Sequence, residues 1–207
     1  MSHSILSEDK RDALQEIVNI GMGAAGAALA RVLGAFVELS VPRIDVVERR
    51  RVPALLNTGS WSDRELEAVR QPFFGGIIGE SLMLFDGAEP AHLADLVGYQ
   101  VTPTVEEQQE LLLDLANVVI GACVNGIAEP LQEVVSFSPP SRLGGRPDAC
   151  AFIVEDGNSW REALVINVDF KLEERQFRSR VLVFLSEPSL VRIDHAIDRF
   201  LDALAAG

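Results

Sequence analysis

The sequence predicts an α+β protein in which two duplicated helix–strand halves share one antiparallel sheet. Two observations carry this. Asp12, Glu16 and Asn19, spaced i, i+4 and i+7 and followed by Pro42, recur 98 residues later as Glu110, Asp114, Asn117 and Pro140. The apolar plan repeats with them: Ile17 answers Leu115, Gly23 answers Gly121, Leu29 answers Ile127 and Leu33 answers Leu131. Strand patterns then follow one another as hairpins, without the crossover helices that a parallel sheet needs. The pseudo-repeat divides the chain at about residues 1–100 and 101–207, within one domain.

The elements follow in order. Helical spacing runs from Ser7 to Leu33, with Ser7 as N-cap candidate, Glu8 and Asp9 in the first turn, and Gly34 as the stop. Phe36–Val41 alternates as a strand closed by Pro42, Val52–Asn57 reads as a short helical turn, and Gly59–Asp63 as a polar loop. Phe73–Ile78 and Ser81–Phe85 read as a hairpin with Gly79-Glu80 at the turn. Pro90–Val97 is a helix ended by Gly98. The plan then restarts with a helix from Val105 to about Leu131 capped by Thr104, a strand at Val134–Ser138, and a Pro/Gly/Ser loop at Ser138–Pro147. Strands at Ala149–Glu155, Leu164–Phe170 and Val181–Leu185 and an amphipathic helix at Ser189–Leu204 complete the chain.

Composition excludes several classes. With 207 residues, 48% hydrophobic and 24% charged, the chain suffices for one sizeable core. A net charge of −13 repels nucleic acid and anionic membrane, and the only basic run, Arg49-Arg50-Arg51, reads as a solvated strand end. Ile20–Val37 contains Arg31 and is built mostly of Gly and Ala, a poor membrane span and a good packed helix. No basic region followed by an apolar one marks a secretion signal. Cys123 and Cys150 lack metal or redox spacing and read as buried thiols of a cytoplasmic protein. His3, His92 and His195 stand far apart, so no metal site is expected.

The recurring stripe is the candidate site. Residues at i, i+4 and i+7 share one helix face, so Asp12, Glu16 and Asn19 align and Gly23 and Gly26 continue the line. Leu14, Ile17, Gly21, Ala25 and Ala28 form the apolar face. An acid–amide stripe on a single helix is ordinarily just solvated. Its recurrence at a fixed offset argues instead for a working surface, as do the bare Gly23 and Gly121. A glycine inside an exposed helix costs about 1 kcal/mol against alanine, and close approach by a partner would offset that.

Gly21-Met22-Gly23-Ala24-Ala25-Gly26, with Asp45 downstream, also matches a dinucleotide-binding fingerprint. That fingerprint needs a buried strand before it, and such a strand would hold Gln15, Glu16 and Asn19. Helical spacing continues through the glycines instead.

The pattern acid-x3-Glu-x2-Asn followed by a proline resembles the signature of the CheC/CheX/FliY family of bacterial chemotaxis phosphatases. The strings EIVNIGMGAAGAALARVLG and VELSVP are similar to that family's first helix and strand. The resemblance covers essentially the whole chain. Two copies without a further flagellar-switch domain resemble CheC in particular. The resemblance implies a CheC-like fold and a two-component signalling hydrolase that removes the phosphoryl group from the aspartate of the response regulator CheY. It implies that Asn19 and Asn117 enter the receiver pocket to position a water in line, and that Glu16 pairs with a receiver lysine. Asp114 is the corresponding acid of the second copy. Asp12, Gly23, Pro42, Glu110, Gly121 and Pro140 are then the partner-binding positions. The Mg²⁺ is expected in the receiver, with no cofactor in this chain, and the deamidase CheD is a further implied partner. One departure stands out: Asp114 replaces the expected glutamate and is about 1.3 Å shorter in reach.

The chemistry suits these residue types. An aspartyl phosphate is already a reactive anhydride, so placing a water in line with phosphorus suffices, and a carboxamide offers both a donor and an acceptor for that. The alternative is a non-catalytic module that merely holds a phosphorylated receiver, or CheD. A pure binder would have no need of the carboxamide in both copies.

Overall fold

The computed structural model describes residues 7–55, 66–86, 104–145, 162–172 and 178–205. The first helix, α1, spans Glu8–Leu33 and stops where Gly34 turns left-handed (φ 60°), its N–H bonding back to Ala30. Its repeat, α3, spans Val105–Ala128 and begins with a reciprocal capping box. The Glu107 N–H donates to Thr104 Oγ1 at 3.2 Å, and the Thr104 N–H donates to Glu107 Oε2 at 2.7 Å. This helix ends before the expected Leu131, because Pro130 has no N–H with which to continue the ladder.

Eight strands form one antiparallel sheet: β1 (Val37–Leu39), β2 (Arg43–Glu48), β3 (Leu66–Gly75), β4 (Gly79–Asp86), β5 (Val135–Phe137), β6 (Ser141–Gly144), β7 (Glu162–Leu172) and β8 (Arg178–Leu185). A short α2 (Val52–Leu55) follows a 3-10 turn at Arg49–Arg51, so the basic run, expected at a strand end, forms the turn just after β2 instead. The spatial order is β1-β7-β8-β4-β3-β5, with β2 also on β7 and β6 also on β3.

The two halves are therefore interleaved. The short strands after α1 pair with the hairpin of the second half, and those after α3 pair with the hairpin of the first. Leu39 faces Phe170 as Phe137 faces Phe73, and Val37 faces Leu172 as Val135 faces Gly75. The long-strand partners differ by 97 (170 − 73 and 172 − 75) and the short-strand partners by 98 (137 − 39 and 135 − 37). The predicted pseudo-two-fold is thus present in the strand pairing itself.

Alternation along the strands sorts the sheet into two faces. Val69, Phe73, Phe85, Ile166, Val168 and Val183 face the core that α1, α3 and the closing helix α4 (Glu187–Ala205) complete. Ala68, Leu82, Leu84, Val165 and Leu182 pack on the opposite face, beneath Val52. By length and composition α1 and α3 could each cross a membrane, but 44% and 50% of their apolar windows are buried within the fold.

Several boundaries depart from expectation. The first hairpin reverses between Gly75 and Gly79, because Gly75 takes φ 124° and starts the turn. Gly79 is already in β4, where a side chain would collide with the Phe184 carbonyl. Strands β2 and β6 were not expected: β6, inside the predicted Pro/Gly/Ser loop, is recruited by pairing with β3 rather than by its own composition. The elements predicted at Gly59–Asp63, Pro90–Val97 and Ala149–Glu155, with His3, His92 and Cys150, lie outside the described residues.

Candidate functional site

The two stripes lie on the outward sides of α1 and α3. Asp12, Glu16, Asn19, Glu110, Asp114 and Asn117 are all exposed. Glu16 is followed along the helix by an asparagine and then by an exposed apolar residue, Ile20; Asp114 is followed in the same way by Asn117 and Val118. No hydrogen bond or ion pair joins Asp12, Glu16, Glu110 or Asp114 to another described residue, so their charges face outward. Gly23 is exposed and Gly121 half-buried, and a Cβ at either would meet nothing within 4 Å.

Two placements differ from the sequence reading. Gly26 does not extend the open stripe: it is buried, and a Cβ there would come 2.8 Å from Leu39 Cδ1. Pro42, expected at a partner contact, is buried, so its ring is an internal packing element, while Pro140 is half-buried. Both prolines close kinks where the edge strand steps from one pairing to the next. Ser40 N–H bonds the Asp169 carbonyl at 2.9 Å, and Ser138 N–H bonds the Pro72 carbonyl at 3.0 Å, again with a 97-residue offset between acceptors (169 − 72).

These kinks hold the asparagines through two glutamines. Gln15 Nε2 donates to Asn19 Oδ1 at 3.2 Å and to the Pro42 carbonyl at 3.1 Å. Gln71 Nε2 donates to Asn117 Oδ1 at 2.7 Å and to the Ser138 carbonyl at 3.1 Å. Gln15 lies one helical turn before Asn19, whereas Gln71 comes from β3 and is 1% exposed. Gln71 shares a strand face with Val69 and Phe73, which places its side chain on the helix-facing side. Sequence reading passed over both. The i, i+4 spacing of Gln15 and Asn19 could have revealed one; nothing local connects Gln71 with Asn117.

His195 has companions that its sequence isolation did not suggest. Its ring and the Asp194 and Asp198 carboxylates present ligand atoms within 4.8 Å of one another. A cation already sits there: Lys10 Nζ is 2.7 Å from Asp194 and 2.8 Å from Asp198, and hydrogen bonds to these carboxylates raise the Lys10 pKa. This cluster ties α1 to α4 and lies outside both stripes.

Chemically, each site offers a water-accessible carboxamide beside an outward carboxylate and a strip of helix without side chains. That arrangement can orient a water and dock a rigid partner, and among the described residues it brings up no nucleophile or strong base.

No family model matches the sequence. The flagellar motor switch phosphatase FliY of Bacillus subtilis (strain 168) is 26% identical over 143 residues, covering 65% of this chain and 35% of FliY. The chain thus spans about a third of the length of that relative. Among solved structures, Thermotoga maritima FliY is similar with a TM-score of 0.69 at 19% identity, over 94% of this chain and 98% of that one. The FliM middle domain from H. pylori reaches 0.64 at 8% identity, over 92% and 99%. A chain of the CheX–CheY–BeF3–Mg²⁺ complex from Borrelia burgdorferi reaches 0.54 at 14% identity, over 84% and 99%. At these identities the structural likenesses establish a shared fold.

Proposed function

We propose that the chain is a member of the CheC/CheX/FliY family, which its likeness to FliY and the shared fold support, and that it hydrolyses the aspartyl phosphate of a CheY-like receiver. The observation that carries this reading is the pair of exposed asparagines, each with its carbonyl oxygen held by a glutamine. A carbonyl oxygen has two lone pairs, so one remains to accept from a water, while the outward amide can donate to a phosphoryl oxygen. Glu16 and Asp114, without partners among the described residues, provide the negative charge that would meet a receiver lysine. The Mg²⁺ that neutralises the transferring phosphoryl group belongs to the receiver substrate.

The open strip over Gly23 and Gly121 supports close docking, and Ile20 and Val118 supply apolar contact beside each asparagine. A similar fold is present in CheX as crystallised with CheY and beryllofluoride, which is consistent with a receiver as partner. A cytoplasmic location, and CheD as an additional partner, follow from the family reading alone.

The test separates hydrolysis from binding. Asn19→Ala/Asn117→Ala is expected to slow single-turnover phosphate release toward the receiver's own rate, a loss of about 10²- to 10³-fold. Affinity for a beryllofluoride receiver, whose Be–F group stands in for the phosphoryl group, should stay within a few-fold. Hydrolysis at the parent rate by this double variant would make the protein a binding module.

A further inference from the structure

Building on the proposed phosphatase reading, we infer that Gln15 and Gln71 are positioning residues that set which end of each asparagine carboxamide faces the reacting water. An amide side chain can sit in either of two orientations that differ by exchange of its oxygen and nitrogen, and only surrounding hydrogen bonds choose between them. Here a backbone carbonyl makes the choice. The Pro42 carbonyl can only accept, so the Gln15 atom facing it is the Nε2 donor; that same donor then faces Asn19, which must answer with Oδ1. The Ser138 carbonyl, Gln71 and Asn117 repeat the relay.

Duplication did not copy these glutamines. The position equivalent to Gln15 is Leu113, 98 residues on, and the position equivalent to Gln71 is Val168, 97 residues on. Two unrelated positions, one on a helix and one on a strand, thus supply the same donor to the same atom of the repeated asparagine and to a carbonyl of the repeated kink. A packing role does not explain that coincidence. Gln71 is moreover poorly suited to packing: it is buried beside Val69 and Phe73, and its Oε1 meets no hydrogen-bond partner among the described residues. A buried acceptor of this kind is costly in a core, so the use of Gln71 here lies in its Nε2 donor, which serves Asn117 and the kink.

Without the donor, the asparagine amide becomes free to flip, and half of its orientations offer the water an N–H in place of an acceptor. Hydrolysis then suffers and docking does not.

The experiment uses the full chain with one site silenced at a time. Gln15→Met and Gln15→Lys are made in an Asn117→Ala background, and Gln71→Met in an Asn19→Ala background, each compared with its one-site parent. Readouts are phosphate release at saturating protein, affinity for the beryllofluoride receiver, melting temperature, and the side-chain amide NMR signals of the remaining asparagine in the protein alone. Partners that orient a reacting group are typically worth about 10- to 100-fold. The methionine variants should therefore lose roughly tenfold or more in rate, with affinity held and melting temperature lowered only modestly. Gln15→Lys keeps a donor and should restore most of the rate. The side-chain amide chemical shifts of the remaining asparagine should move toward those of a free carboxamide in the methionine variants and stay near the parent values in Gln15→Lys.

Methionine variants that keep the parent rate, or whose rate falls only in step with affinity or melting temperature, would overturn the inference. So would amide signals that do not change. A double-asparagine variant that hydrolyses normally would instead remove the phosphatase reading, and the amide signals would still decide whether the glutamines hold the carboxamides.

Discussion

Gly21 and Gly126 bring the backbones of α1 and α3 into direct contact: a Cβ at 126 would lie 2.5 Å from Gly21 Cα, and one at 21 would lie 3.0 Å from the Gly126 carbonyl carbon. Neither obstacle is the flexible end of a side chain, so neither can yield. The contact sets the separation of the helices, and with it the relative placement of the two stripes.

Gly126→Ala should therefore push the helices apart and cost about 1–3 kcal/mol, the usual range for overpacking a filled core. Denaturant unfolding measures the loss. Gly21→Ala should do the same to a smaller extent, and a neutral result for both would show that the interface is looser than this contact requires.

Gly23 and Gly121 should behave in the opposite manner. Both lie within helices, yet a Cβ at either meets nothing within 4 Å. Gly23→Ala/Gly121→Ala should stabilise the isolated protein by up to about 1 kcal/mol per site through helix propensity. The same variant should bind a receiver more weakly, because a methyl group now stands in the open strip. Gain in melting temperature with unchanged binding would show that the strip is not a contact surface.

The two sites should differ, each being stronger in one part. The first has the longer carboxylate, Glu16, but its asparagine is held from a half-buried helical Gln15 at 3.2 Å. The second has the shorter Asp114, but its asparagine is held from the core at 2.7 Å. Asn19→Ala should cost more activity than Asn117→Ala while reach is limiting. Asp114→Glu should then raise affinity at the second site and make Asn117 dominant. Phosphate release by the two asparagine variants, with and without Asp114→Glu, tests this; an Asn117 dominant at the outset would refute the reach argument.

Cys123 is fully buried, its Sγ 3.5 Å from Met22 Sδ, and burial pushes its thiol well above the ordinary value of 9.0. The folded thiol keeps its proton where the unfolded one ionises. Its contribution is thus fully present below about pH 9 and is lost as pH rises further. Cys123→Ala should flatten the alkaline decline in melting temperature, and thiol reagents should label Cys123 only at the rate of unfolding.

The sequence by itself determined the two long helices, their caps and the outward acid–amide stripes. These depend on relations within a few residues: Gly34 stops α1, Thr104 and Glu107 close a box on α3, and residues at i, i+4 and i+7 share a face whatever surrounds them. The 98-residue offset announced the two-fold plan in the same local terms. Tertiary structure decided what each residue meets across the sheet. Only the pairing shows that β1 and β2 join the hairpin of the other half, because edge strands such as Ser141–Gly144 acquire their form from a partner rather than from composition. Three glycines in one short run likewise acquired separate fates: Gly21 against a helix backbone, Gly23 in the open, Gly26 beneath Leu39. Gln71 reaches Asn117 from 46 residues away for the same reason. A hydrogen bond between distant elements exists only once the sheet register and the helix packing have brought donor and acceptor together, and no spacing along the chain encodes that distance.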